Sequence, residues 1–253
     1  MTFYDANLSY GLDSNVTRRP MQVCGTMAEL DAALDRAGVT GGLVRQVAQD
    51  TQGVVIGNEM LAADLKTSTH DLYGMYTILP PYTHEIPAPC DLPAVLKELK
   101  MPVLRLNPRE HRYLPRAGVL KDYLAVAEEA HIPVMMDTAC GIDLGDCWDI
   151  LERFPNLTAI IAYAQIWPTD RMERPFLAQF PNTVLDLSYM ITDQGLEDLV
   201  KEYGGSRFLF ASRFPFMYIG GQQLNLRCAE ISDEDKELIA GGNLLRLIRE
   251  VLA

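Results

Sequence analysis

The chain has 253 residues, with 22 Lys and Arg against 34 Asp and Glu, and carries a net charge of −12. Hydrophobic residues make up 48% and charged residues 22%, which excludes a disordered chain and gives enough apolar surface for a large core without disulfide staples. The acidic balance argues against nucleic acid or an anionic membrane as partner. No apolar run approaches the ~20 residues that span a bilayer. The opening MTFYDANLSYG has neither a basic n-region nor an apolar h-region, so the expectation is a cytoplasmic protein without a signal peptide. Cys24, Cys90, Cys140, Cys147 and Cys228 are scattered and contain no CxxC, which reads as reduced thiols.

In chain order, a strand is predicted at Phe3–Leu8, then a capping box Thr26-Met-Ala-Glu29 that opens a helix running to Gly38. A strand at Gly42–Val47 is followed by a helical pattern at Asn58–Lys66, and a strand at Gly74–Leu79 by the Pro-rich stretch Pro80–Pro93. Asp91 is positioned to cap a helix over Leu92–Leu99. Strands follow at Val103–Leu106, Val134–Asp137, Ala159–Tyr163, Val184–Ser188 and Phe208–Ser212. Between them lie helical patterns at Lys121–Ala130, Cys147–Phe154, Arg174–Phe180 and Gly195–Tyr203. Ser232 opens the last helical region, which the Gly241-Gly242-Asn243 step is expected to divide, whereas Gly204-Gly205 and Gly220-Gly221 read as loop tips. Eight strand–helix alternations predict a parallel α/β sheet closed as a single (β/α)8 barrel over residues 1–253. The rival doubly wound sheet lacks its signature, since no GxGxxG or GxxxxGK[ST] follows the first strand.

A barrel of this kind places its chemistry at the C-terminal strand ends. Those ends carry Asp5, Asn7, Ser9, Arg45, Gln46, Arg105, Asn107, Asp137, Thr138, Tyr163, Gln165, Asp186, Ser188, Ser212 and Arg213. Alternation sets Arg105 and Asn107 opposite Leu104 and Leu106, Asp186 and Ser188 opposite Leu185 and Leu187, and Arg213 opposite Phe208 and Phe210. The polar sets therefore face the barrel axis. For the second and fifth strands parity leaves the direction open.

The run Tyr4-Asp-Ala-Asn-Leu-Ser-Tyr-Gly11 resembles the opening strand of the amidohydrolase-related family, whose pattern is Asp-x-His-x-His followed by Gly. The resemblance continues through Pro133-Val-Met-Met-Asp137, the segment Phe154 to Tyr163, Phe180-Pro-Asn182, Phe208-Leu-Phe-Ala-Ser-Arg-Phe-Pro215 and Ile239 to Leu245. It implies a metal-dependent-hydrolase-like TIM barrel. It also implies ligand positions that are occupied here by Asn7, Ser9, Asp137 or Thr138, Tyr163 and Arg213. None is histidine, and a guanidinium repels a divalent ion. The four histidines, His70, His84, His111 and His131, lie away from the strand ends. The expectation is therefore a barrel that has lost its metal site and uses no cofactor.

Arg213 either binds an anionic group or fills the cavity against Asp5, Asp137 or Asp186. Arg105 and Asn107 either clamp a carboxylate or anchor a loop. Asp137 is the candidate general acid–base or, equally, the structural partner of Arg213. Tyr163 can donate to an oxyanion or simply pack. Cys140 as a thiolate nucleophile lacks a histidine partner, Trp148 and Trp167 read as edge covers, and Phe214–Tyr218 reads as a pocket wall, core packing or a contact in a homo-oligomer. The functional expectation is a metal-independent hydrolase. Its catalytic residues are Asp137, Arg213 and Tyr163; Asn7, Ser9, Arg45, Arg105, Asn107 and Asp186 bind a small carboxylate-bearing substrate. The alternative is a non-catalytic barrel that binds a small anion or serves as an assembly subunit.

Overall fold

The computed structural model describes residues 1–12, 24–163 and 170–253. The strands β1 (Phe3–Tyr10), β2 (Val39–Gln46), β3 (Asp71–Thr77), β4 (Val103–Leu106), β5 (Val134–Asp137), β6 (Ala159–Ala162), β7 (Thr183–Asp186) and β8 (Phe208–Leu209) form one sheet. They are hydrogen-bonded in sequence order, and every pairing is parallel. The ring is drawn together beyond β8, where the Ala6 amide donates to Phe210 O at 2.9 Å and the Ser9 amide to Phe214 O at 2.9 Å. Helices fill the connections: α1 (Met27–Ala37), α2 (Ala48–Thr51), α3 (Val54–Leu65), α4 (Leu92–Leu99), α5 (Pro108–His111), α6 (Ala117–Glu129), α7 (Leu144–Arg153), α8 (Arg174–Gln179), α9 (Gly195–Tyr203), α10 (Ile219–Cys228), α11 (Asp233–Glu237) and α12 (Asn243–Leu252). The predicted (β/α)8 barrel is the observed one.

Local chemistry accounts for the helix ends. Thr26 and Glu29 form the reciprocal capping box of α1, and Gly38 closes it in the left-handed conformation at φ 64°. A second box, Asp143 with Asp146, opens α7. Three expectations are corrected. Asp91 stands at the N-cap of α4 but its side chain makes no capping bond; Pro93 instead fixes the first turn. Gly220 and Gly221 lie inside α10. Gly241 and Gly242 do not divide the C-terminal helical region: Leu238–Gly242 is a π-helical turn joining α11 to α12. Gly241 is needed there, because a Cβ would meet Thr2 O at 2.9 Å.

Two apolar layers result from strand alternation. Leu104, Leu106, Val134, Met136, Leu185 and Phe208 face outward and share a core with Leu120, Leu124, Ile150 and Leu151 of the helices. Inside, every strand contributes a large side chain to a single floor, Tyr4, Leu43, Met75, Val103, Met135, Ile160, Val184 and Leu209, and Ala6 and Ala162 join the same cluster. Leu244, Leu247 and Ile248 of α12 pack into the same cluster. Each fully buried side chain of this kind stabilises the fold by roughly 1.5–3 kcal/mol. Two residues further along each strand, the inward positions of β2, β3, β4, β5 and β7 become Arg45, Thr77, Arg105, Asp137 and Asp186, which settles the parity of β2 and β5. An apolar floor thus carries a polar layer directly above it.

Candidate functional site

The polar layer resolves into three groups. On the β2–β4 side, the short helix α2 brings Asp50 over the end of β3. Its Oδ1 accepts from Arg105 Nη1 at 2.6 Å and from Asn107 Nδ2 at 2.6 Å. Its Oδ2 accepts from Arg45 Nη1 at 2.8 Å and from Arg105 Nη2 at 3.1 Å. Burial works against the Asp50 charge, yet the guanidiniums of Arg105 and Arg45 hold its carboxyl down at about 2. Arg105 is 2% exposed and also reaches Thr77 Oγ1 at 3.4 Å and Cys140 Sγ at 3.3 Å. Burial disfavours its charge as well, but Cys140 and Asp50 leave its pKa above the ordinary arginine value. Burial also pushes the Cys140 thiol up, against the pull of Arg105.

Buried amides hold α2 in this place. Gln49 Nε2 donates to Asn58 Oδ1 at 2.7 Å and to Met75 O at 2.8 Å, and Asn58 in turn bonds both the amide and the carbonyl of Thr77. Gly57 lets α3 approach, since a Cβ there would lie 2.2 Å from Gln49 Cα.

The second group is Arg213 with Asp137. Arg213 Nη1 lies 3.3 Å from Asp137 Oδ2 and 3.4 Å from Oδ1. The guanidinium carbon sits 4.2 Å from the Tyr163 ring centre and 5.8 Å from that of Tyr189, a desolvated cation–π arrangement. The two rings meet edge to face at 4.2 Å. Both Tyr163 and Arg213 hold left-handed backbone, at φ 57° and φ 58°, a strained conformation for non-glycine residues of the kind found at functional sites. Thr138 Oγ1 donates to Tyr163 O at 2.7 Å and fixes the exit from β6.

The third group lies on the β7–β8–β1 side. Asn7 Nδ2 donates to Asp186 Oδ2 at 2.8 Å, and Ser9 Oγ donates to Phe214 O at 3.2 Å. Asp5 Oδ1 accepts from the amides of Asn7 and Ser212, both at 3.0 Å, while its Oδ2 is buried with no hydrogen-bond partner among the described residues. Burial pushes the Asp5 carboxyl up to about 6, against hydrogen bonds from Ser212 and Asn7 that favour the charge. Burial raises Asp186 too. One device recurs: Asp5, Asp137 and Asp186 each accept from the amide two residues on, at 3.0, 2.8 and 2.6 Å. At the ends of β5 and β7 it turns the chain out of the sheet, whereas Asp5 lies inside β1, where the register with β2 shifts between Asp5 and Leu8.

The structure therefore gathers Asn7, Ser9, Arg45, Arg105, Asn107, Asp137, Tyr163, Asp186 and Arg213 at one end of the barrel. The groups interact electrically: Asp137 acts on Arg45 and Arg105, Arg213 on Asp186, and Asp186 on Asp5. Of the acids offered to Arg213, Asp137 pairs with it; Asp5 is tied to backbone and Asp186 to Asn7. Gln165 and Trp167 lie outside the described residues, and Trp148 packs on Phe176 and Phe180. Phe216 and Tyr218 are exposed. Asp50 is the residue that strand-end reasoning missed. A cavity of about 370 Å³ between the β7–α9 loop and α10 holds none of the expected site residues.

A parallel barrel with its polar residues collected at the C-terminal strand ends has the architecture of a TIM barrel. The family model described as "Amidohydrolase" matches residues 17–249, and the chain belongs to that family. No curated protein matches it in sequence. Among solved structures it is similar to 2,6-dihydroxybenzoate decarboxylase from Rhizobium, with TM-score 0.72, 14% identity and 98% and 99% of the two chains covered. It is similar to 5-carboxyvanillate decarboxylase from Sphingomonas paucimobilis, with TM-score 0.70, 13% identity and 98% and 99% coverage. A third is 4-oxalomesaconate hydratase from Rhodopseudomonas palustris, with TM-score 0.69, 16% identity and 99% and 96% coverage. At these identities the likeness concerns the fold.

Proposed function

We propose that this chain is a metal-independent enzyme of the amidohydrolase family that hydrolyses a small carboxylate-bearing substrate. The observation that carries the reading is the Arg213–Asp137 pair, with its cation over Tyr163, at the end of the barrel. The family resemblance implies a divalent metal there, and the residues present do not fit one. Asn7 and Ser9 direct donors to Asp186 and Phe214 O, and Arg213 brings a fixed positive charge to the same end. Among the described residues, no three His, Cys, Asp or Glu side chains group as metal ligands. The named neighbours, two decarboxylases and a hydratase of carboxylate compounds, support a carboxylate substrate.

In this reading Asp137 takes a proton from water as the water oxygen attacks the substrate carbonyl. Arg213 and the Tyr163 hydroxyl stabilise the oxyanion that forms. The carbon–heteroatom bond then breaks and Asp137 returns the proton to the leaving group. Asn7, Ser9, Arg45, Arg105, Asn107 and Asp186 bind and orient the substrate. The test is hydrolysis of a panel of N-acyl and ester carboxylates by chelator-dialysed protein. Turnover is expected to survive dialysis and to fall about 10²–10⁴-fold in Asp137→Asn. Turnover that depends on added metal, or is unchanged in Asp137→Asn, overturns it. A second reading, a non-catalytic barrel that binds a small anion or joins an assembly, is favoured by the full use of the Asp50 carboxylate in internal bonds. Binding of carboxylates without turnover across the panel selects it.

A further inference from the structure

The geometry points to a second ligand site on the barrel wall, which takes an apolar molecule ending in an ammonium group. The cavity of about 370 Å³ between the β7–α9 loop and α10 interrupts the layer between sheet and helices. Leu196 of α9, Phe210 after β8, Leu226 of α10 and Ile239 of the π turn line it, and all four belong to the outer apolar core. It reaches the surface beside Ile191, Asn225 and Cys228, which are exposed. Its volume lies in the ~300–1,000 Å³ range of pockets that hold small organic molecules, and its base is apolar as theirs are.

The polar rim decides which end group the site accepts. Asp193 and Glu197 are its charged lining residues, and among the described residues no Lys, Arg or His joins them. Neither acid has an ion-pair partner among the described residues. Glu197 Oε1 accepts from the Glu230 amide at 2.9 Å. The neutral amides are committed elsewhere: Gln222 Nε2 donates to Ser188 O at 2.8 Å, and Asn225 Nδ2 to Gln222 Oε1 at 3.2 Å and to Met190 O at 3.5 Å. The rim thus offers carboxylate oxygens and no cation. The α9 N-terminus adds about half a positive charge, which two carboxylates outweigh. An ammonium supplies three N–H donors and the opposite charge, and the net charge of −12 adds to its attraction. A carboxylate end would meet like charges instead. The apolar body therefore packs against Phe210 and Leu226, and Asp193 and Glu197 determine specificity. The site does not depend on the hydrolysis proposed above.

Titration calorimetry on the full chain at about pH 7, where the amine is protonated and both acids are ionised, tests this with 4-phenylbutylamine, 4-phenylbutanol and 4-phenylbutyrate. The amine is expected to bind at least about fivefold more tightly than the alcohol, and the carboxylate most weakly. The double variant Asp193→Asn, Glu197→Gln should bring the amine to within about twofold of the alcohol. Cys228 lines the cavity and its thiol is exposed, whereas the exposed Cys90 lies before α4. At ten times its Kd the amine fills about nine-tenths of the sites, so iodoacetamide labelling of Cys228 should slow at least about fivefold and that of Cys90 should not change. Equal or tighter binding of the alcohol or the carboxylate overturns the inference, as does failure of all three probes to bind. Binding of the amine that leaves Cys228 labelling unchanged places it elsewhere and overturns the inference too. Should the double variant fail to fold, the order of the three probes and the Cys228 labelling decide the matter.

Discussion

Asp50 and Arg105, 55 residues apart in sequence, are joined by two parallel hydrogen bonds of 2.6 and 3.1 Å across the end of β3. The pair turns a four-residue helix, α2, into the organiser of one half of the site. Because Arg105 is buried, Asp50→Ala leaves a cation with no fixed counter-charge, and the expected loss is about 3–5 kcal/mol in urea unfolding. Asp50→Asn removes the charge but keeps the shape, so its loss should be the smaller. The acid limb carries the same signature. With the folded carboxyl at about 2 and the unfolded one near 3.8, the contribution is complete above the unfolded value. It is lost as pH falls through the folded one, and amounts to ~2 kcal/mol.

Arg213→Met tests the other half. The substitution keeps a long side chain against Tyr163 but removes the 3.3 Å ion-pair partner of Asp137. A loss of about 3 kcal/mol in urea unfolding is expected, because one member of a largely buried pair is left uncompensated. In the unaltered protein, the same arrangement predicts far less than one Zn, Mn or Fe per chain by elemental analysis after dialysis. Stoichiometric metal bound at Asn7, Ser9 and Tyr163 contradicts it.

The parts of this architecture legible in sequence are those governed by short-range pattern. The limits of β4 and β5 follow from short apolar runs set behind Pro102 and Pro133, and α9 from a run bracketed by Gly195 and Gly204. Alternation alone turned Arg105, Asp186 and Arg213 inward. The expected eighth strand, Phe208–Ser212, pairs with β7 only at Phe208 and Leu209, because the Phe210 amide is taken by Ile239 O of the π turn, a tertiary contact with no local signal. Asp50 was hidden for the same reason. Its helix has one turn, no periodicity and no capping side chain, and its partners come from β2 and β4. The arginines could be placed at the strand ends from the sequence; their sharing of one carboxylate could not.

The floor beneath the site depends on a close strand approach. Gly42 has φ 155°, and a Cβ on it would lie 2.0 Å from Asp5 O, in the backbone of the strand that carries Asp5, Asn7 and Ser9. Gly42→Ala must therefore either push β1 away or distort β2. A cost above about 3 kcal/mol, or failure to accumulate as folded protein, is expected. A thermal midpoint within about 2 °C of the unaltered protein, a shift of no more than about 1 kcal/mol at this size, contradicts the β1–β2 packing.

Asp5 gives the counterpart of Asp50 with the opposite sign. Its folded carboxyl titrates at about 6, against an ordinary value of 3.8, because burial disfavours the charge more than the amides of Asn7 and Ser212 and the Ser212 side chain restore it. In this direction the unfolded chain releases the proton first, so the folded state binds more protons between the two values. Stability therefore falls as pH rises through that window, by up to ~3 kcal/mol, and levels off above about pH 6. Asp5→Asn keeps an acceptor oxygen for the two backbone amides and removes the titration. Its unfolding free energy should accordingly lack the decline between about pH 4 and 6, and the variant should gain on the unaltered protein as pH rises. The measurement is urea unfolding at half-unit intervals across that range. A variant whose stability falls as steeply as that of the unaltered protein would assign the titration to another group.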